Sequence, residues 1–271
     1  MRKTVIFLII LLCTGCGTNT NSNRISADGS TSMEKVIGFL SEAYMEENKS
    51  AKVTYNPIGS GAGIQAAING RCDVGLSSRS LSAEEAVMVN TTVIAMDGIA
   101  VIVNLNNPIK NLTTEQIRLI YTGKILNWSG VGGTNSEIVL IGRETASGTR
   151  DGFETITDTK NQCQYAQELT SSGDVIQTVA TNPNAIGYAS IASVKDTVKT
   201  IAVNGIIPSK ETIQNGYYQI QRDFLLVTSK NREMTDATKR FFEFVTSGRA
   251  DQYVEMAGAI PILRRGADKL E

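Results

Sequence analysis

The sequence predicts an α/β fold in which two lobes face each other across a cleft. Three observations carry that expectation. Short β-rich runs alternate with helical patterns along the chain, the signature of layered strands and helices. The run 92–104 is unusually long for one strand and holds Asp97-Gly98 at its middle, so it reads as a crossover between lobes. The apolar run 224–228 offers the way back. Finally, three glycine- and serine-rich turns each lead straight into a helical pattern: Asp28-Gly29-Ser30-Thr31-Ser32, Gly59-Ser60-Gly61-Ala62-Gly63 and Ala146-Ser147-Gly148-Thr149-Arg150. A single continuous doubly wound domain is the plainer alternative.

Taken in order, strands are expected at 24–27, 51–57, 74–76, 92–104, 138–142, 186–190, 199–203 and 224–227, each a short β-rich run. Helices are expected at 32–48, 61–69, 82–90, 113–122, 149–157, 174–181, 235–246 and 248–256. Several announce their starts: Ser82 is followed by Glu84 and Glu85, and Thr113 or Thr114 stands before Glu115-Gln116. Gly248, Gly258 and Pro261 punctuate the last helical pair. Two crossovers then divide the chain into one lobe of 24–97 plus 223–271 and another of 98–222.

The first residues read as an export signal. Arg2 and Lys3 precede an apolar run from Val5 to Leu12 that is far too short to span a bilayer. Cys13-Thr14-Gly15-Cys16 follows, then an asparagine-rich stretch. This resembles a bacterial lipoprotein signal (residues 1–15) cleaved before Cys16, whose sulfur takes the lipid; Cys13 departs from the usual leucine. An ordinary secretory signal is the alternative. Residues 16–23 would then be a polar tether holding the domain off the membrane. The protein is expected as a monomer at the extracytoplasmic face.

Basic and acidic residues nearly balance, 26 against 27. No basic cluster interleaved with aromatics suggests a nucleic-acid surface. Any anion must therefore be held by local dipoles and one or two placed cations. The chain has no histidine, which removes the usual general base, the Ser-His-Asp and Cys-His arrangements and most zinc sites. Cys72 and Cys163 show no metal spacing, and their distance in sequence leaves a disulfide between them open.

Each of the three polar turns would present hydroxyls and free backbone N–H groups at the positive end of a helix. One such turn means little. Three in one chain, with Arg143 four residues before Ser147, point to convergence on a tetrahedral anion, and to binding rather than catalysis.

The same residues resemble the periplasmic-type phosphate-binding proteins that feed ABC phosphate importers, over nearly the whole chain beyond the signal. Besides the three turns, the resemblance is carried by Asp73-Val74-Gly75-Leu76-Ser77-Ser78-Arg79, Asp97-Gly98-Ile99-Ala100, Ile125-Leu126-Asn127-Trp128, Gly142-Arg143-Glu144-Thr145 and Ile186-Gly187-Tyr188-Ala189. It implies a two-lobe periplasmic binding protein-like fold of type II, with inorganic phosphate in the interlobe cleft and permease subunits as partners. No cofactor and no metal is implied. Ser30, Thr31, Ser32, Ser60, Ser147, Gly148 and Thr149 would donate to the ion, and Arg143 would supply the one direct charge, ideally through both prongs of its fork. Contributions from both lobes would couple binding to hinge closure.

Well-known members of that family place an aspartate where this chain has Ser78, and that aspartate accepts the ligand's own proton. Ser78 can accept but can also rotate and donate. Asp97 is the candidate to take over the role, with a hinge or turn residue as its plainer reading. Ser32 and Ser60 could merely shape their own turns, Arg143 could sit in a surface ion pair, and Arg79 and Arg150 could either brace loops or touch the ligand. Trp128 and Tyr188 read as structural. A receptor for sulfate, molybdate or tungstate, an enzyme such as a phosphatase, and a sensory or adhesive protein on the same fold are the competing functions.

Overall fold

The computed structural model describes residues 23–262; Cys16, the signal and nearly all of the tether lie outside the described residues. The chain opens with β1 (Arg24–Gly29), whose alternate residues Ile25 and Ala27 are buried, and a 3-10 turn over Thr31–Met33. α1 (Glu34–Glu47), β2 (Lys52–Asn56), α2 (Ser60–Ile68), β3 (Val74–Ser77) and α3 (Ala83–Met88) follow. β4 (Val89–Asn104) is the long strand, with β5 (Asn111–Leu112), α4 (Thr114–Tyr121), β6 (Val139–Arg143) and α5 (Gly148–Ile156) after it. Then come β7 (Gln167–Leu169), α6 (Ser172–Thr181), β8 (Ala185–Ser190), β9 (Val198–Thr200), β10 (Ala202–Val203) and α7 (Lys210–Gln214). β11 (Gln221–Ser229), α8 (Asp236–Val245), α9 (Asp251–Met256) and β12 (Ile260–Pro261) complete the described chain.

β4 serves two sheets. Its first part, through Gly98, lies antiparallel to β11, and its last part, from Ile99, pairs antiparallel with β8 and β9. One sheet runs outward from β4 through β11, β3, β1 and β2, the other through β8, β6 and β7. Within each, the pairs β1–β2, β1–β3, β6–β8 and β6–β7 are parallel, as helix crossovers require. The register sets Asp97 opposite Arg222 and Gly98 opposite Gln221, so both crossover strands change lobes at the same level.

Apolar side chains bury on both faces of each sheet. On the first, Met33, Val36, Ile37 and Leu40 of the α1 region pack with Phe241 and Phe244 of α8 beneath β1 and β3, while Ile64 and Ala67 of α2 cover the opposite face. On the second, Phe153 stacks on Tyr188 with Tyr121 edge-on to Phe153, an aromatic group on one face, and Val175, Ile176 and Val179 of α6 fill the other. α2 lies so close to β1 that a Cβ on Gly63 would fall 2.4 Å from the Asp28 carbonyl oxygen. Glycine at that position lets the start of α2 reach the mouth of the cleft.

Several boundaries moved for identifiable reasons. The helix expected from Ser32 begins as 3-10 and becomes α only at Glu34. The helix expected over 82–90 ends at Met88, because Val89 already pairs with Ser229 in the sheet. The expected strand 199–203 is two strands broken at Ile201: β9 pairs with β4 and β10 with β5. Cys72 and Cys163 are free thiols; Cys72 belongs to the cluster under α2 and Cys163 packs against the aromatic group of the other sheet.

Candidate functional site

The polar turns converge where the two sheets meet. Ser30, Thr31 and Ser32 leave the carboxyl end of β1, Ser60 opens α2, and Ser78 follows β3. All five are buried. The Ser30 hydroxyl donates to Ser78 Oγ at 2.7 Å and lies 2.8 Å from Ser32 Oγ, while Ser60 Oγ lies 3.2 Å from Ser78 Oγ. Ser60 Oγ also accepts from the Ser78 backbone N–H. The Thr31 hydroxyl is buried without a hydrogen-bond partner among the described residues, a cost that a ligand in the cleft would remove.

The other lobe meets this cluster directly. Ser147 caps α5, accepting from the Arg150 N–H, and Gly148 and Thr149 form the first turn behind it. A Cβ on Gly148 would fall 2.4 Å from Ser60 Oγ and 2.7 Å from Ser78 Oγ. The Gly61 N–H donates to the Ala146 carbonyl at 3.0 Å, so backbone joins backbone across the cleft. α2 and α5 therefore point their N-terminal N–H groups into one volume, where their dipoles favour negative charge.

Arg143 ends β6 and is almost wholly buried. Its expected two-pronged grip on a ligand is corrected by the geometry. Nε and Nη2 are taken by the Glu144 carboxylate at 2.9 and 2.8 Å, with the Leu169 and Thr170 carbonyls as further acceptors. Nη1 donates to Ser172 Oγ at the start of α6. Of the five guanidinium N–H groups, one on Nη1 has no partner among the described residues. Its backbone is held as well: the Arg143 N–H donates to the Tyr188 hydroxyl and its carbonyl accepts from Arg150.

Asp97 also departs from expectation. It is fully buried at the crossover, but its Oδ1 accepts from Ser190 Oγ at 2.8 Å and its Oδ2 from Arg222 Nε and Nη2 at 3.1 and 2.9 Å. The Ala192 backbone bonds the same carboxylate. Burial raises the Asp97 carboxyl above its ordinary range, and the adjacent Arg222 charge pulls it back. Burial correspondingly pushes Arg222 down, with Asp97 opposing and the nearby Arg143 charge adding to the shift. A guanidinium stays protonated in proteins, so the two form a buried ion pair.

Arg222 is the member of this cluster that the sequence reading missed. It stands in Gln221-Arg222-Asp223, with no glycine or serine turn to mark it, and reaches Ser32 and Ser78 only through the folded chain. Arg79 and Arg150 brace loops: Arg79 forks onto Glu85, and Arg150 binds Glu154 and Glu168. Trp128 is buried with its Nε1 on the Asn184 carbonyl, and Tyr188 packs in the aromatic group.

The model of the PBP superfamily domain matches residues 15–249. The phosphate-binding protein PstS of Borreliella burgdorferi is 31% identical over 277 residues, covering 96% of this chain and 99% of its own. This chain belongs to the PstS phosphate-binding protein family, within the PBP superfamily. A family member from Bacillus subtilis is 27% identical, covering 91% of this chain and 90% of its own. Among solved structures, a putative phosphate ABC transporter substrate-binding protein from Clostridium perfringens, with phosphate bound, is 37% identical. It superposes with a TM-score of 0.86, covering 89% of this chain and 100% of that one. An ABC-type phosphate transport receptor from Vibrio cholerae is 34% identical, with a TM-score of 0.73 and coverage of 87% and 99%. The two-lobe fold expected from the crossovers is the fold of the family.

Proposed function

We propose that this chain is an extracytoplasmic solute receptor that binds inorganic phosphate between its lobes and delivers it to an ABC phosphate importer. One observation carries the reading. Ser30, Ser32, Ser60 and Ser78 share one buried hydroxyl network, and Gly148 at the head of α5 closes onto it from the other lobe. A dehydrated phosphate needs about a dozen donors, most of them neutral, and such a cluster supplies them from hydroxyls and backbone N–H groups. Ser30, Thr31, Ser32, Ser60, Ser78, Ser147, Gly148 and Thr149 are assigned to the ligand, with Arg143 contributing its remaining Nη1 N–H. Asp97 is assigned to the hinge, where it holds Arg222.

The receptor makes no bonds and uses no cofactor, and it works as a monomer. One lobe comprises 24–97 with the C-terminal segment from 223, the other 98–222. A lipid on Cys16 and the tether of residues 16–23 would keep it at the outer face of the membrane, where the permease subunits receive the ion. Among the described residues no helix is long and apolar enough to cross a membrane. Calorimetric titration of the purified, ligand-stripped protein tests the reading: inorganic phosphate should bind at one site per chain. Absence of a binding heat in a protein with a normal melting transition would refute it.

A further inference from the structure

Arg222 is a buried cation with an N–H to spare. Its side chain comes from β11, the returning crossover strand, and is 5% exposed. Nε and Nη2 donate to Asp97 Oδ2, Nη2 also to Ser32 Oγ at 3.1 Å, and Nη1 to the Ser78 carbonyl at 3.1 Å. Those bonds occupy four of its five N–H groups, and the second N–H on Nη1 has no partner among the described residues. Two of its partners, Ser32 and Ser78, are members of the serine network assigned to the ligand. Through Nη2 the guanidinium thus touches the Ser32 hydroxyl of that network, and through Nη1 the Ser78 backbone carbonyl beside it.

The carboxylate beside it has no such reserve. An ionised carboxylate offers about four lone-pair positions. In Asp97 they receive the Ser190 hydroxyl, two N–H groups of Arg222 and the Ala192 backbone. Glu144, a second acid near the cleft, is spread across the Arg143 fork and is one-quarter exposed beside Gly59. The hydroxyls of Ser30, Thr31, Ser32, Ser60 and Ser78 gather in the cluster, and each can accept a ligand's proton or turn and donate to a bare oxygen instead.

We propose that Arg222 is a ligand-binding residue of this site, a second guanidinium that grips the anion from the crossover strand. Asp97 is its positioning residue. The site then selects a tetrahedral oxyanion by charge and donor number, not by reading a proton on it, so sulfate competes with phosphate. This rests on the phosphate-receptor reading above.

The test is calorimetric titration of ligand-stripped protein with phosphate and, separately, sulfate, for wild type, Arg222→Gln, Arg222→Lys and Asp97→Asn, each with its melting curve. A site built around an acceptor for the ligand's hydroxyl rejects an anion lacking it by about 10⁴-fold or more. Here sulfate should bind wild type within about a hundredfold of phosphate. Arg222→Gln should weaken both anions about tenfold to a hundredfold, the loss of a charged hydrogen bond, with Arg222→Lys recovering part of it. Asp97→Asn should weaken both by the same factor, leaving their ratio unchanged, whereas loss of a proton reader would change the ratio. Tight phosphate binding with sulfate more than about a hundredfold weaker overturns the proposal and leaves the receptor reading standing. So does wild-type phosphate affinity in Arg222→Lys or in a folded Arg222→Gln. No phosphate binding by folded wild type overturns both.

Discussion

At Gly148 one absent methyl group governs how closely the lobes approach. The Cβ of an alanine would meet Ser60 Oγ at 2.4 Å and Ser78 Oγ at 2.7 Å, and both hydroxyls are already held by hydrogen bonds. The clash exists only when the cleft is shut, so opening relieves it at no cost to either core. Gly148→Ala should therefore lower phosphate affinity by about tenfold or more while moving the melting temperature little, as read by calorimetry and thermal denaturation. Equal affinity would show that the cleft need not close this far on its ligand. Arg143 makes a related point at the same scale. The sequence placed it correctly before the Ser147 turn, but Glu144, its chain neighbour, occupies the prongs meant for the ligand.

Among the elements, α3 shows how a local signal ties into the site region. Ser82 and Glu85 form a reciprocal capping box, and Glu85 also takes both prongs of Arg79, the residue after Ser78. The Arg79 hydrogen bonds hold the Glu85 carboxyl below its ordinary value of 4.5, against the effect of burial. A depressed acid contributes stability above its unfolded pKa, and that contribution is lost as pH falls through the lower folded value. Glu85→Gln keeps the capping partner and removes the charge. It should cost about 1 kcal/mol or less near neutrality, with the difference from wild type vanishing below the folded Glu85 pKa. Melting curves across that range check it, and a difference that persists in acid would place the effect in the cap rather than the charge. Ser82 and Thr113 were legible as helix starts because capping involves residues three apart. The break at Ile201 was not, since what splits that run is a change of partner strand.

For the molecule as a whole, the closed arrangement is held by few cross-cleft bonds. Gly61 N–H meets the Ala146 carbonyl, Lys35 reaches the Ala192 carbonyl at 3.3 Å, and Lys210 pairs with Glu255 at 2.6 Å. At the crossover Asp97 ties Ser190 to Arg222, which also reaches Ser32 and Ser78. Bonds so few, beside two continuous crossover strands, suit rotation of one lobe against the other about the level of Asp97 and Arg222. Small-angle scattering of ligand-stripped protein should show a larger radius of gyration that contracts on adding phosphate. Identical profiles with and without saturating phosphate would reject closure as the signal passed to an importer.

The sequence by itself determined the alternation of strands and helices, the crossover through Asp97-Gly98 and the three polar helix starts. These rest on residues near one another in the chain, where periodicity, glycine freedom and exposed N–H groups act locally. Its serines and Gly148 were therefore found before any fold was drawn. Tertiary structure decided the charges. Arg222 lies 125 residues from Asp97, which the antiparallel register of the two crossover strands sets opposite it, and 190 from Ser32, which comes near only in the folded chain. An ion pair across that distance leaves no periodic trace, since Coulomb attraction and hydrogen bonding depend on separation in space and not along the chain.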